Sequence, residues 1–255
     1  MCVDLYDNEA FECARARVVG VERPRTGIGT LGEKTLHAIL KHFLEPDEAL
    51  HEVRVGSHFA DICRPDGILE IQTAGFSKLR AKLDAFLPTY PVTVVYPVPR
   101  VKWLQWIDET TGELTRRRKS PKTGRPSEIF RELVWIKPYL QDPRLSFLVL
   151  MIDMDEYRLL NGWSADRKRG STRFDRVPSA VADAVRVRLP EGLDLLMPPG
   201  LPAPFRSQDF AAAAGMRLWE AQRAINVLLS AGRVRVDGKA GRFRLYVRTA
   251  ETMGI

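Results

Sequence analysis

One short stretch constrains this chain more than any other: Asp61-Ile-Cys-Arg-Pro-Asp-Gly-Ile-Leu-Glu-Ile-Gln-Thr73. Asp66-Gly67 is a two-residue hairpin signal between apolar runs, so two antiparallel strands are expected. With that turn, Cys63 faces Glu70 and Asp61 faces Gln72. Facing residues, and residues two apart along a strand, project to the same side of a sheet. Asp61, Glu70 and Gln72 therefore share one face. A four-residue loop would change the partners and keep the face, whereas an odd-length loop would flip one strand and break it. Ala60, Ile62, Leu69 and Ile71 take the other face, which is apolar and suited to packing against a helix. A polar face on an antiparallel sheet is ordinarily a wet one, so the meaning of the three side chains depends on their flanks.

Upstream, Gly32 to Leu44 sets Leu36, Ile39, Leu40, Phe43 and Leu44 on one helical arc. Glu33 falls inside that arc, in line with Leu36, His37, Leu40 and Leu44. An acid on an inward stripe needs a partner, a cation or a metal. Alternatively, Glu33 occupies the first turn, where an acid favours the helix dipole and stays wet. His51 to Val55 alternates like a strand. Downstream, Phe76 to Leu87 is amphipathic, with Leu79, Leu83, Phe86 and Leu87 on one side and Pro88 as its stop. Val92 to Val98 is a β-rich run typical of a buried strand.

In this order of elements the chain resembles the PD-(D/E)XK nuclease superfamily over roughly residues 28 to 100. The superfamily has an α-β-β-β-α-β core, an acid on the second strand, an acid-x-Lys on the third and often a Glu on the first helix. Asp61 looks like the first acid, Glu70 like the second, and Glu33 like the helix acid. Gln72 stands in the place of the usual Lys. The string Glu-Ile-Gln is similar to the E-x-Q version in some restriction enzymes and in competence-associated nucleases. The resemblance implies hydrolysis of phosphodiesters with Mg²⁺ or Mn²⁺. Such an ion takes oxygen ligands and keeps several waters. Asp61 and Glu70 would supply carboxylate oxygens, the Ile71 carbonyl a third ligand, and Glu33 a contact through water. Gln72 would orient the nucleophile through its amide but carries no charge, which makes slow or lost activity a real alternative.

Length and charge agree with this picture. The 255 residues suffice for one ordinary domain and a smaller one, and the 45% apolar content supports a core. The net charge of +7 favours an anionic partner such as nucleic acid. Cys2, Cys13 and Cys63 have no metal-ligand spacing and suit a reducing compartment. Met1 to Ala10 is acidic and lacks an apolar signal core, and no apolar run approaches membrane-spanning length. A cytoplasmic protein without a membrane partner is expected, with a homodimer left open.

The positive charge is clustered. Arg116, Arg117, Arg118, Lys119, Lys122 and Arg125 follow an expected strand, Val101 to Ile107, and a turn, Asp108 to Gly112. They precede a helix expected from Ser127. Such a run reads either as a solvated loop or as a phosphate clamp. Trp103, Trp106 and Trp135 are at strand and helix spacing and read as core. Asp153, Asp155 and Glu156 follow an apolar strand, Ser146 to Met151, and read as its end, with a second metal site as the alternative. A second basic stretch, Asp166 to Arg176, reads as a loop that touches nucleic acid or pairs with those acids.

Pro190 to Pro204 is rich in Pro and Gly and reads as a linker between residues 1–189 and 205–255. Beyond it, Gln208 to Ala214 and Arg217 to Ser230 read as two helices about a turn at Gly215, the second with Leu218, Ala221, Ile225, Leu228 and Leu229 inward. Arg233 to Arg248 alternates apolar and basic about Asp237-Gly238. This resembles a winged-helix domain. In that family the second helix enters the major groove and the wing touches phosphate. The helix would offer Arg217, Trp219, Gln222, Arg223 and Asn226, and the wing Arg233, Arg235, Lys239, Arg242 and Arg244. The fold class expected is therefore α/β, a restriction-endonuclease-like core with a winged helix. The function expected is metal-dependent cleavage of DNA. The alternatives are an inactive nuclease-fold DNA-binding regulator, an RNA endonuclease and a protein-interaction adaptor.

Overall fold

The structure is a computed structural model that describes residues 5, 7–19, 31–162 and 171–249, with side chains from residue 35 onward in the second helix. Helix α1 (Asn8–Ala16) starts where the Asp7 carboxylate accepts from the Ala10 N–H at 2.9 Å. Helix α2 (Leu31–Leu44) buries Leu36, Ile39, Leu40, Phe43 and Leu44, the arc read from its periodicity. Strands β1 (His51–Val55), β2 (His58–Arg64) and β3 (Gly67–Ile71) form an antiparallel meander. A 3-10 turn, Phe76–Leu79, leads into α3 (Arg80–Phe86), and β4 (Val92–Ile107) follows. The expected order of helix, three strands, helix and strand is present.

The rest of the chain extends this sheet. Strand β5 (Arg118–Lys119) pairs with β4. Helix α4 (Phe130–Leu133) lies between 3-10 turns Pro126–Ile129 and Val134–Tyr139. Strands β6 (Leu145–Leu159) and β7 (Arg173–Arg188) complete seven strands in the order β1-β2-β3-β4-β6-β7, with β5 beside β4. The β3–β4 and β4–β6 pairs are parallel, and the β6–β7 pair is antiparallel. Helices α5 (Ser207–Ala214) and α6 (Leu218–Ser230) and a hairpin of β8 (Val234–Ala240) and β9 (Phe243–Arg248) close the described chain. The class is mixed α/β.

Each sheet face has its own apolar layer. Leu36, Ile39, Leu40 and Phe43 pack with Ile62, Ile71, Val95, Leu148 and Ile152. On the other side Phe76, Leu83, Phe86, Phe130, Leu133, Ile225 and Leu228 pack with Ile68, Val92, Val94, Phe147 and Val149. The alternation of Val94 with Val95 and of Phe147 with Leu148 shows why these central strands read as unbroken apolar runs: both faces are covered. Each fully buried Leu, Ile or Phe is worth about 1.5–3 kcal/mol. Ala60 sits in the α3-side layer rather than with Ile62.

Several sequence expectations are corrected. The first hairpin turns at Pro65-Asp66, one residue earlier than Asp66-Gly67, because Arg64 pairs with Gly67. Gly67 lies against Pro91, whose carbonyl a Cβ would meet at 2.6 Å, so its glycine serves close packing as well as the turn. The register moves by two, and the shared face of Asp61 and Glu70 survives. The expected strands 92–98 and 101–107 are one strand with an irregularity at Pro99/Val101. The helix expected from Ser127 starts with Pro126 as its first residue and deviates from helical geometry at Ile136, next to a lysine and Pro138. Trp135 is 48% exposed and not core. Asp153, Asp155 and Glu156 are within β6, not at its end. Residues 166–170 of the basic stretch lie outside the described residues, and Arg173 to Arg176 belong to β7, a strand with no clear signal in the sequence.

The Pro/Gly-rich segment is packed structure: its 3-10 turn, Glu191–Leu196, buries Leu193 and Leu196, with Met197 behind them. These residues share one apolar layer with Ile225 and Leu228 of α6 and Phe130 of α4. The terminal hairpin turns at Gly241-Arg242, and Asp237-Gly238 marks a bulge instead. Leu218 is exposed at the start of α6.

Candidate functional site

The site is built on the β2–β3 pair. Ile62 faces Leu69, which brings Asp61 beside Glu70 on the side covered by α3. Backbone and carboxylates interlock: the Asp61 N–H donates to Glu70 Oε1 at 3.2 Å, and the Ile71 N–H donates to Asp61 Oδ2 at 2.7 Å. Two groups from the helices complete the arrangement. Lys82 of α3 donates to Glu70 Oε2 at 2.7 Å and stands 3.8 Å from Asp61 Oδ1. His37 of α2 places Nε2 at 3.1 Å from Asp61 Oδ2.

The electrostatics divide the two acids. Glu70 is 2% exposed. Burial, followed by the negative charge of Asp61, pushes its carboxyl up to about 7, and Lys82 offsets only part of this. Burial also works against ionised Asp61, but the His37 hydrogen bond and charge, the Ile71 N–H and Lys82 outweigh it and hold Asp61 below the usual carboxylate range. Of the two, Glu70 therefore has the greater proton affinity.

The carboxylates open into a cavity of about 690 Å³ whose wall includes His37, Lys41, Glu52, Gln72, Lys78 and Lys82. Lys41 pairs with Glu52 at 2.5 Å. Glu52 has φ +49°, a left-handed backbone that a glutamate adopts only under constraint from its surroundings. Gln72 lines the cavity, but its amide donates to the Ala74 carbonyl at 2.5 Å, away from the acids. Glu33 lies outside the described side chains. Among the described residues no group of three or more His, Cys, Asp and Glu is gathered for a metal ion; Asp61 and Glu70 remain a pair.

His37 and Lys82 were not singled out from the sequence. His37 had a signal, since it follows Glu33 by one helical turn. Lys82 had none, because which lysine of an amphipathic helix overhangs a strand depends on how the helix is rotated on the sheet.

The expected nucleic-acid contacts fall into two groups. Arg116, Arg117, Arg118, Lys119 and Lys122 are exposed. Arg117 pairs with Asp155 at 2.6 Å and lies over Trp103, while Arg118 lies over Trp106. Arg125 donates to the carbonyls of Ala214 and Gly215 and so ties the basic segment to the α5–α6 turn. Gly215 has φ +58° and passes so close to this guanidinium that a Cβ would overlap it. On the terminal module Arg217, Trp219, Gln222, Arg223, Lys239, Arg242 and Arg244 are exposed, with Arg223 over Trp219. Arg235 pairs with Asp237 at 2.8 Å, and Asn226 accepts from Lys137 at 2.9 Å. Arg233 is buried against Asp194 at 2.5 Å, so the expectation that it serves the wing is corrected.

The acids of β6 are matched to cations. Asp153 pairs with Arg100 at 2.5 Å, and Glu156 is surrounded by Lys102, Arg158 and Arg176. No helix among the described residues is long and apolar enough to cross a membrane.

The mixed sheet and its carboxylate pair define a class of α/β protein. Residues 34–188, from α2 to the end of β7, match the family described as a domain of unknown function, DUF8091, and the chain belongs to that family. It is 30% identical over 227 residues, covering 86% of each chain, to an uncharacterized protein of Treponema pallidum (strain Nichols). No solved structure matches.

Proposed function

We propose that this protein is a metal-dependent nuclease that hydrolyses DNA phosphodiester bonds, with a PD-(D/E)XK-like core and a C-terminal winged helix that aids DNA binding. The observation that carries this reading is the meeting of Asp61, Glu70 and Lys82 at the wall of one open cavity. Lys82 supplies from a helix the cation that Gln72 cannot supply from the third strand. The order of helix, three strands, helix and strand supports the same reading.

The donor set fits Mg²⁺ or Mn²⁺. Asp61 and Glu70 present hard oxygens, the Ile71 carbonyl is adjacent, and Mg²⁺ is commonly held by one or two carboxylates with waters and substrate phosphates. The raised proton affinity of Glu70 marks negative charge that Lys82 only partly balances. When bound, the ion supplies Lewis-acid stabilisation of the phosphate and a more acidic attacking water. The protein's own groups do the rest. Asp61, oriented by His37 and the Ile71 N–H, and Glu70 would hold the ion. Lys82 stabilises charge developing on the phosphate. Lys41 and Lys78 on the cavity wall attract flanking phosphates. The exposed arginines of the basic segment and of α6 and β8–β9 bind the duplex backbone. The free thiols Cys13 and Cys63 suit a reducing cytoplasm.

A second reading, a DNA-binding regulator without turnover, is favoured by one observation: Lys82 already bridges the acids. Incubation of plasmid DNA and of RNA with Mg²⁺ or Mn²⁺ separates the readings. Cleavage that disappears in Asp61→Ala and Glu70→Ala supports the nuclease. Salt-sensitive DNA binding without metal-dependent cleavage supports the regulator, and preferential cleavage of RNA replaces the substrate.

A further inference from the structure

The helix that carries Lys82 does not cap itself. Its 3-10 entry, Phe76–Leu79, opens at Gly75 with φ +74°, and Gly75 has no side chain to hold the first backbone donors. Those donors are met from α4. Glu132 Oε2 accepts from the Gly75 N–H at 2.8 Å and from the Phe76 N–H at 3.1 Å. A carboxylate at this end also opposes the positive end of the helix dipole. The same segment holds α3 further along: Arg80 Nε donates to the Trp135 carbonyl at 2.7 Å, and Tyr139 donates to Asp84 at 2.8 Å. Phe76, the residue after the cap, is fully buried between Tyr96 and Phe147.

Glu132 therefore holds the junction between the loop that lines the cavity and the helix that carries Lys82. Gln72 to Gly75 line the cavity immediately before the cap, and Lys82 follows it in the first turn of α3. We propose that Glu132 is a positioning residue: by holding the Gly75 and Phe76 amides, it sets the height and rotation of α3 that bring Lys82 over the Asp61–Glu70 pair. The catalytic consequence rests on the nuclease reading; the geometric one does not. Both accepted bonds use a single oxygen. A glutamine carbonyl oxygen has two lone pairs and replaces it, whereas alanine offers no acceptor.

The test uses the full chain and Glu132→Ala, Glu132→Gln and, as a neighbour on α4, Arg131→Ala. Acetic anhydride labelling of Lys82, read by mass spectrometry, reports whether the ammonium is held. Glu132→Ala is expected to raise the Lys82 labelling rate roughly tenfold and to lose hydrogen-exchange protection at Gly75 and Phe76. Glu132→Gln and Arg131→Ala are expected to label as the unmodified protein does. In metal-dependent cleavage Glu132→Ala lowers kcat and leaves KM for DNA unchanged. If Glu132→Ala does not fold, Glu132→Asp, which shortens the reach, carries the same contrast. Equal labelling in a folded Glu132→Ala protein, or Glu132→Gln behaving like the alanine variant, overturns the proposal. A labelling contrast in a protein that never cleaves DNA leaves the positioning intact and removes the nuclease reading. Cleavage without the contrast does the reverse.

Discussion

Two buried glutamates on the same sheet have opposite fates. Glu70 and Glu156 are almost equally hidden, at 2% and 1% exposure. Glu70 shares its surroundings with a second carboxylate and mainly one lysine, and its pKa rises to about 7. Glu156 has Lys102, Arg158 and Arg176 around it. Burial alone would raise its pKa, but Lys102 and Arg158 outweigh burial and hold it below the usual range. Depth does not distinguish a structural acid from a candidate functional one; the balance of charge does. Glu156 has three cations within 4 Å. The Asp61–Glu70 pair is short of positive charge and faces an open cavity, which is what a cation-binding site requires.

The sharpest test of this contrast is to remove each acid and read both activity and stability. On the nuclease reading, Asp61→Ala or Glu70→Ala lowers the rate of plasmid cleavage by about 10³-fold or more, and Lys82→Ala by about 10²-fold. Glu156→Ala leaves the metal response of any residual cleavage unchanged. Retention of full cleavage by Glu70→Ala would break the comparison.

Stability should show the mirror image. Glu156→Ala removes the buried anion on which Lys102 and Arg158 converge and is expected to cost about 3 kcal/mol in urea unfolding. Glu70→Gln removes repulsion with Asp61 and is expected to leave the unfolding midpoint unchanged or raise it above neutral pH. A large loss in Glu70→Gln would mean that its contact with Lys82 is chiefly structural.

The pH dependence follows with opposite signs. The Glu70 pKa is raised from 4.5 to about 7 on folding. Its contribution to stability is present in full below 4.5 and is lost as pH rises through about 7. The Glu156 contribution is present above the ordinary carboxylate pKa and is lost as pH falls through its lowered folded value. Unfolding free energies of Glu70→Gln and the unmodified protein, from urea titrations, therefore diverge as pH rises from about 4.5 to about 7 and level off above, by an amount on the order of 1–3 kcal/mol. Binding of Mn²⁺, followed by calorimetry, should strengthen over the same interval and release a proton.

The smallest effects belong to the terminal module. Arg223→Ala and Lys239→Ala should each weaken DNA binding by about 1 kcal/mol and lower the salt slope by about 1. Neither should change the pH behaviour of Glu70. Fluorescence anisotropy across a salt series checks both.

The shared face of Asp61 and Glu70 was legible in the sequence although the turn lies one residue before Asp66-Gly67, because a shift of two in register preserves the face. The inward arc of α2 and the apolar centre of β4 were legible for the same reason: their periods are local. The long β6–β7 hairpin was not, since its outer half mixes charged and apolar residues whose pairing lies across strands. The Pro/Gly-rich segment misled because composition reports backbone stiffness, while the burial of Leu193 and Leu196 depends on the layer formed with α6.

By itself the sequence determined the positive charge, from composition, and the mixed class, the helix and strand periods and the two acids on one face, which follow from spacing along the backbone. Only the tertiary structure decided that Lys82 rather than position 72 brings a cation to those acids, that His37 orients Asp61, and that Glu132 holds the helix between them. Those contacts join residues 12, 24 and 57 positions apart. They depend on how helices are rotated and seated on the sheet, a choice made by the packing of two apolar layers and not by any local pattern.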